Sequence, residues 1–246
     1  MHIQHKFLQA NFGNGFETHD AILDVTPGYS PEVLFIGTFN PNTNGAHNLA
    51  TFFYGRDNYL FPSLHGIFNL QQPYNQAPPY NNIIWPLCAT LKLSFADLIG
   101  CVFPNQPTAL LPNSNLVAHA NRQFNLLKDQ DLISLHEDFG AVAWNHSRIA
   151  DFINQRTSIK YVYLTQRSNN IFLHKFRQIQ GLCNRANVSF RTIHTPSGQS
   201  LPGVPKELFL SLQWLIQQQN GSGFDLDWLH SHNIHHFNHG NYSLTF

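Results

Sequence analysis

Two short loops carry the polar side chains that this sequence offers for chemistry. The first, residues 37–42, reads Gly-Thr-Phe-Asn-Pro-Asn, and the second, residues 194–200, reads His-Thr-Pro-Ser-Gly-Gln-Ser. The amide of Asn40 is no strong base, but its oxygen can hold a water molecule. Asn-Pro and Thr-Pro-Ser-Gly are also ordinary turn sequences, in which Asn40 and Ser197 satisfy their own backbone. Each loop taken alone is compatible with a functional role or with a plain turn.

A third segment, residues 52–61, combines aromatic rings with charged and amide side chains. It reads Phe-Phe-Tyr-Gly-Arg-Asp-Asn-Tyr-Leu-Phe. Its rings offer a stacking platform, although we expect at least two of them to be plain core. Asn58 precedes apolar residues at helical spacing, so it is either a functional amide or a helix N-cap.

These segments must be positioned by predicted strands and helices, which alternate along the chain. Four runs have the length and composition of strands: residues 33–38, 140–144, 161–165 and 190–194. Helical spacing of apolar residues follows at 116–135, 149–153, 172–182 and 208–216. This alternation predicts a three-layer α/β/α sandwich with a central, mostly parallel four-stranded sheet. Because ligands bind such sheets at the carboxyl ends of strands, we expect the first two loops to face one crevice.

Composition limits the classes to which the chain can belong. It has 246 residues, and 14 Lys and Arg balance 14 Asp and Glu, so the net charge is zero. This balance argues against tight, charge-driven wrapping of duplex DNA. No apolar run approaches the roughly 20 residues that a membrane helix needs. Three widely spaced cysteines suggest neither a disulfide framework nor a zinc site.

We therefore expect a cytoplasmic, monomeric protein without a membrane segment. Residues 1–246 are expected to form a single domain. Within it, residues 1–30 are expected to be an N-terminal arm without sustained periodicity, and residues 220–246 a histidine-rich, irregular C-terminal extension.

The ordered set of segments resembles the uracil-DNA glycosylase superfamily. The first loop is similar to its Gly-x-Asn-Pro motif with one residue inserted before Asn40. The second is similar to its Asn-Pro-Ser-Gly-x-Ser motif with Thr195 in place of the asparagine. Residues 52–61 resemble the corresponding segment of the mismatch-specific and hypoxanthine-acting branches. The resemblance covers roughly residues 33–215 and implies a single glycosylase-like domain.

The resemblance also implies which residues act in the reaction. It assigns to Asn40 the holding of a water molecule below the anomeric carbon of the sugar. Asn58 is the alternative, because a later asparagine is implicated in the hypoxanthine-acting branch. Asp57 could orient the water or pair with Arg56. The expected catalytic residues are thus Asn40, Asn58 and Asp57.

Substrate binding is expected from all three segments. Phe53 or Tyr54 would stack the base, and backbone N–H groups of residues 37–42 would donate to the base oxygens. The second loop would hold the DNA backbone. In other branches a histidine of this loop donates to the base anion, and His194 lies one position earlier. The expected substrate-binding residues are Gly37, Thr38, Phe39, Phe53, Tyr54, His194, Thr195, Pro196, Ser197, Gly198 and Ser200.

Two other features allow more than one interpretation. Residues 166–177 are the densest basic stretch, and Arg167 and Lys175, together with Arg56, are expected to contact DNA phosphates unless they form a solvated helix face. The histidines of residues 230–239 lack the Glu of a HExxH motif, so a solvated tail is the default and a zinc hydrolase the weaker alternative. No metal and no other cofactor is expected.

The expected function is hydrolysis of the N-glycosidic bond of a damaged base, such as uracil or hypoxanthine, in base excision repair. The partner would be DNA that contains the damaged base, and the neutral charge favours a weak or single-strand-preferring binder. The competing hypothesis is an inactive base- or nucleic-acid-binding module of the same fold. Thr195 and the inserted residue before Asn40 favour that alternative.

Overall fold

The computed structural model describes residues 3–25, 28–42, 50–54, 58–70, 81–102, 132, 142–165, 171–198, 201–202, 205–216 and 222–246. Its described helices are α1 (Leu60–Ile67), α2 (Asn81–Leu91), α3 (His146–Gln155), α4 (Ile171–Arg185), α5 (Lys206–Ile216) and α6 (Leu226–Ser231). The helical periodicity of residues 149–153, 172–182 and 208–216 is confirmed by α3, α4 and α5. The periodicity of residues 116–135 lies outside the described residues, apart from Leu132.

Seven strands form the main sheet: β2 (Asn11–Gly13), β3 (Phe16–His19), β4 (Ile22–Val25), β5 (Val33–Gly37), β6 (Leu93–Asp97), β9 (Tyr161–Leu164) and β10 (Ser189–Thr192). Their order across the sheet is β10, β9, β5, β6, β4, β3, β2. The first four in this order run parallel to one another, and each of the last three is antiparallel to the strand before it.

Strand β5 lies in the interior of this sheet because its sequence has no polar face. All five of its residues are buried, as are all five of β6. Leu34 and Ile36 belong to one hydrophobic core, while Val33 and Phe35 belong to another. Continuous apolar runs are typical of strands that are covered on both faces. The sheet therefore separates two cores, and its carboxyl ends are the places where polar side chains can gather.

The expected sandwich around a central, mostly parallel four-stranded sheet is wrong. The main sheet has seven strands and is mixed, and a separate three-stranded antiparallel sheet is present. That small sheet contains β1 (Ile3–Gln4), β7 (Ile99–Val102) and β8 (Val142–Trp144). The described part of the run at residues 140–144, strand β8, thus pairs outside the main sheet, because an apolar run predicts a strand but not its partners. Strand β6, which was not expected, lies beside β5 instead.

The first thirty residues build strands rather than only an arm. Two-residue turns connect β2 to β3 and β3 to β4, and their residues have positive φ: Asn14, Gly15, Asp20 and Ala21. Such turns match the twist of antiparallel hairpins. The N-terminal segment therefore extends the main sheet through β2–β4 and starts the small sheet through β1.

The C-terminal segment is regular where we expected an irregular extension. It contains α6 and a hairpin of β11 (His236–His239) and β12 (Tyr242–Thr245). Trp228 and Phe237 enter the core that also holds Phe35. Asp225 accepts hydrogen bonds from the Tyr163 hydroxyl at 3.0 Å and from the Arg191 Nε at 2.8 Å, which ties this segment to β9 and β10.

Candidate active site

The loop after β5 is fixed from two sides. The N–H groups of Leu98 and Ile99 donate to the carbonyls of Gly37 and Thr38, each at 3.1 Å. On the other side, the Lys6 N–H donates to the carbonyl of Asn40 at 2.7 Å. The N-terminal segment and the β6–β7 connection therefore hold the backbone of this loop between them.

A buried carboxyl group lies under the loop. The Asn40 Nδ2 donates to the Asp97 Oδ2 at 2.5 Å, and the His5 Nε2 lies 2.7 Å from the same oxygen. Asp97 and His5 are each 2% exposed. A buried carboxyl group is stable only when donors satisfy it, and Asp97 has two at one oxygen.

The hydrogen bonds decide which atoms of His5 and Asn40 face Asp97. The Phe7 N–H donates to the His5 Nδ1 at 3.0 Å, so Nδ1 is the acceptor and Nε2 carries the hydrogen that points at Asp97. The carboxyl oxygen accepts, so Asn40 must turn its NH2 group towards it. The Oδ1 of Asn40 is therefore not engaged by Asp97 and can accept a hydrogen bond from a ligand or a water molecule.

Gly37 is required at the end of β5 because two side chains approach its Cα. A Cβ built there would lie 2.2 Å from the Asp97 Oδ1 and 2.9 Å from the Tyr54 hydroxyl oxygen. Both distances are shorter than any unstrained contact. The absence of a side chain at Gly37 thus lets Asp97 and Tyr54 meet beside the loop.

Replacing Gly37 with alanine should lower the free energy of unfolding by about 2–3 kcal/mol, because the new methyl group overpacks the Asp97 and Tyr54 contacts. Gly66→Ala is the matched control, since Gly66 lies in α1 with open space around its Cα. That change should raise the free energy of unfolding by about 0.5–1 kcal/mol through helix propensity. Urea unfolding measures both, and equal effects would contradict the close approach at Gly37.

Tyr54 is the aromatic side chain that the structure places at the site. The Thr165 hydroxyl donates to the carbonyl of Ile36 at 3.2 Å and accepts from the Tyr54 hydroxyl at 3.0 Å. Burial and the neighbouring Asp97 raise the pKa of Tyr54 well above its ordinary value. Its backbone is in the left-handed region, with φ of 52°. Strained backbone of this kind is often found at functional sites.

Phe53, the other expected stacking residue, lies in the core. It is fully buried, and its ring stacks on Phe95 with the centroids 6.0 Å apart. Phe52 and Phe61 are buried as well, so these three rings form the core contribution of this segment. Phe39 is half-buried, and its ring centroid lies 5.9 Å from that of His5.

The third segment meets the second loop. Asn58 and Ser197 form a single antiparallel β-bridge, and the Tyr59 N–H donates to the carbonyl of Pro196 at 2.9 Å. The Asn58 Oδ1 accepts from the Leu60 N–H at 3.0 Å, where α1 begins. Asn58 thus lies one residue before the N-cap of α1, Tyr59. Its side chain stabilises the turn that leads into the helix, and its backbone pairs with Ser197.

The second loop is held from its outer side by α5. The Lys206 ammonium donates to the carbonyl of Gly198 at 2.6 Å, and the Trp214 indole donates to that of His194 at 2.9 Å. The His194 ring packs edge-on against Phe209 of α5, with centroids 5.9 Å apart. Thr195 and Ser197 are half-buried, and Pro196 is buried.

Five other residues were expected at the site, and the structure describes one of them. Lys175 of α4 has its ammonium 5.5 Å from the centre of the Trp144 ring. Arg56, Asp57, Arg167 and Ser200 lie outside the described residues.

His5 and Asp97 were missed in the sequence. Asp97 ends the mostly apolar run of residues 93–97, but Ser94 interrupts that run, so neither the strand nor its polar carboxyl end stands out in the sequence. Nothing local distinguishes His5 from the other histidines. Its role follows from a pairing between the chain start and Pro41, which lies far along the sequence.

The described residues contain no group of three or more His, Cys, Asp or Glu side chains arranged to hold a metal ion. No helix in the described ranges is long and apolar enough to span a bilayer. Comparison with known proteins adds no identity: no protein-family model, no curated protein and no solved structure matches this chain.

Proposed function

We propose that the chain is a DNA glycosylase related to the uracil-DNA glycosylase superfamily, which hydrolyses the N-glycosidic bond of a deaminated base. One observation carries this proposal: the described parts of the three segments that resemble the superfamily lie at the carboxyl edge of the parallel strands. Gly37 meets Tyr54, and Asn58 pairs with Ser197. Tyr54 and Asn58 are four residues apart, so an extended chain would separate them by no more than about 14 Å.

Asn40 is the residue that we propose to hold the attacking water. Cleavage of the glycosidic bond builds positive charge on the sugar and negative charge on the departing base. A positioned water is sufficient if the bond breaks largely before attack, and no strong base is then needed. Because Asp97 holds the NH2 group of Asn40, its Oδ1 is kept as the acceptor for that water.

Asn58 offers the complementary group. The Leu60 N–H occupies its Oδ1, so its NH2 group is the part that can reach a ligand. A donor next to a departing base stabilises the negative charge on the base oxygens, as an oxyanion hole does. From the sequence, Asn40 and Asn58 are alternatives for one catalytic role. We propose instead that each has its own role: Asn40 holds the water, and Asn58 donates to the base oxygen.

Tyr54 and the second loop complete the proposed site. The hydroxyl of Tyr54 is protonated at neutral pH, and burial and Asp97 raise its pKa further above that range. It therefore places no negative charge near the anionic leaving group. The half-buried Thr195 and Ser197 supply hydroxyl groups for the DNA backbone. We further propose that the enzyme acts as a cytoplasmic monomer in base excision repair and requires no metal or other cofactor.

The purified protein should release base from end-labelled oligonucleotides that contain uracil, hypoxanthine or xanthine. Each substrate is tested single-stranded and opposite each of the four bases, and strand scission after alkali measures the abasic product. Release from at least one substrate is expected. If the protein binds damaged or abasic strands but releases no base at high enzyme concentration, the enzyme proposal falls. The binding-module alternative then takes its place, with Asn40 and Asn58 serving only their observed structural contacts.

A further inference from the structure

Trp144 borders the candidate site from the small sheet. It ends β8 and pairs with Ile99, whose N–H donates to the carbonyl of Thr38 in the loop after β5. Neighbouring strands lie about 4.8 Å apart, so the backbone of Trp144 is roughly 10 Å from that of Thr38. A nucleotide next to one bound at the loop would therefore come within reach of the Trp144 ring.

Trp144 is the most exposed of the four tryptophans. Trp85, Trp214 and Trp228 are 7%, 0% and 1% exposed, whereas Trp144 is half-buried. Its ring meets Phe172 edge-on, with centroids 5.7 Å apart, which fixes the orientation of the indole. A rigid aromatic ring that is partly open to solvent costs little entropy when a second ring stacks on it.

Lys175 adds a positive charge at this ring. Several other cations in the described part of the chain are paired with carboxylates: Lys92 and Lys160 with Glu32, Arg148 with Asp20, Arg156 with Asp24, and Arg191 with Asp225. Lys175 instead lies over Trp144. Burial and the charge of Lys175 lower the pKa of the adjacent His146. The chain has no net charge, so it attracts DNA only through local positive groups. The ammonium group of Lys175, beside an aromatic ring, is such a group and can bind a phosphate.

We propose that Trp144 and Lys175 bind a nucleotide adjacent to the target in single-stranded DNA. This inference rests on the proposed function and names the form of its substrate. The base stacks on the indole while the ammonium group neutralises a neighbouring phosphate, the combination that single-strand binding uses. A base inside a duplex is stacked and paired on both sides, so it offers no free face to Trp144. The contact therefore selects single-stranded over double-stranded substrate.

Intrinsic fluorescence tests the stacking, because Trp144 is the one of the four tryptophans that is not buried. An undamaged oligothymidylate of about ten nucleotides should quench the emission of the wild type. Trp144→Phe keeps an aromatic ring and should bind with an affinity within a few-fold of the wild type, but the quenching should disappear. Trp144→Leu should weaken binding about 5- to 150-fold, as loss of one stacked base predicts. Circular dichroism confirms that each variant is folded.

The salt dependence of binding tests Lys175. Loss of one phosphate contact should reduce the slope of log Kd against log salt by about 0.7 in Lys175→Gln. Arg177→Gln is the matched control, since Arg177 is exposed two residues further along α4. It should leave the slope unchanged.

Three outcomes would overturn the proposal: no quenching in the wild type, unchanged quenching in Trp144→Phe, or equal salt slopes for Lys175→Gln and the wild type. Binding uses undamaged DNA, so it is independent of base release. If quenching and slope behave as expected but no base is released, this contact stands and the glycosylase proposal falls. If base is released without quenching, the glycosylase proposal stands and this contact falls.

Discussion

Replacing Asn40 with alanine should lower the rate of base release about 100-fold or more under single-turnover conditions. The change removes the amide oxygen that we propose to hold the water and leaves the backbone of the loop in place. That backbone is secured by the Lys6 N–H and by the β6–β7 connection. Binding of a strand that contains the damaged base should change by only a few-fold, so the loss should appear in the rate of the chemical step.

The same loop supplies the control. Asn42 is exposed, and its backbone N–H donates to the carbonyl of Gln4, so Asn42→Ala removes an amide without disturbing the loop. Its rate should match the wild type. Asn58→Ala should be slower than the wild type but should also lose stability, because the Leu60 N–H loses its acceptor. If Asn58→Ala abolishes release while Asn40→Ala stays active, the two roles proposed for the asparagines must be exchanged.

The sequence predicted the elements whose signals are local. Residues 33–38, 161–165 and 190–194 are short apolar or alternating runs, and they form β5, β9 and β10. These runs alone therefore sufficed to place the loops that follow β5 and β10 at one edge of a sheet. The hairpin between β2 and β3 was equally predictable, because Asn14-Gly15 favours a two-residue turn. Gly13 and Gly15, considered one at a time, indicate only that no helix or strand continues through them.

Strand β6 was hidden by its own polar residues. Ser94 and Asp97 interrupt the apolar run, although both are buried. The Ser94 hydroxyl is satisfied by the carbonyl of Leu23 at 2.6 Å, and Asp97 by His5 and Asn40. These partners lie 57 to 92 residues away. A buried polar group looks like a surface residue until its partners are known, so the neighbour of β5 could not be deduced locally.

Distant partners also limit what the sequence predicts about the candidate site. The types of its loop residues were visible in the sequence, but which atoms of those side chains face a ligand was not. The orientation of the Asn40 amide depends on Asp97, and that of the Asn58 amide on a helix start. Phe53 and Tyr54 are adjacent and chemically alike, yet one is in the core and the other reaches Gly37. The backbone of Tyr54, with its positive φ, decides between them, and no sequence pattern predicts that conformation for tyrosine.

Replacing Asp97 with alanine should lower the free energy of unfolding by about 3 kcal/mol. The Nε2–H of His5 and the NH2 group of Asn40 would lose their common acceptor at a place that solvent reaches poorly. Urea unfolding gives the value, provided that its slope with denaturant is unchanged. Asp24→Ala is the matched control, because Asp24 pairs with Arg156 at a half-exposed position and should cost less than about 1 kcal/mol.

Stability alone does not show that Asp97 positions Asn40, so the second variant is Asp97→Asn. This side chain keeps its size, and because His5 and Asn40 donate to the same oxygen of Asp97, its one amide oxygen must serve both donors. An uncharged amide oxygen accepts hydrogen bonds more weakly than a carboxylate, so the amide of Asn40 is held less firmly, and base release should slow even at a temperature where the variant is fully folded. Because Asp97 would act through Asn40, adding Asp97→Asn to Asn40→Ala should slow release no further. A wild-type rate in Asp97→Asn, or a further loss in the double variant, would leave Asp97 only the structural role of holding His5 and the loop in the fold.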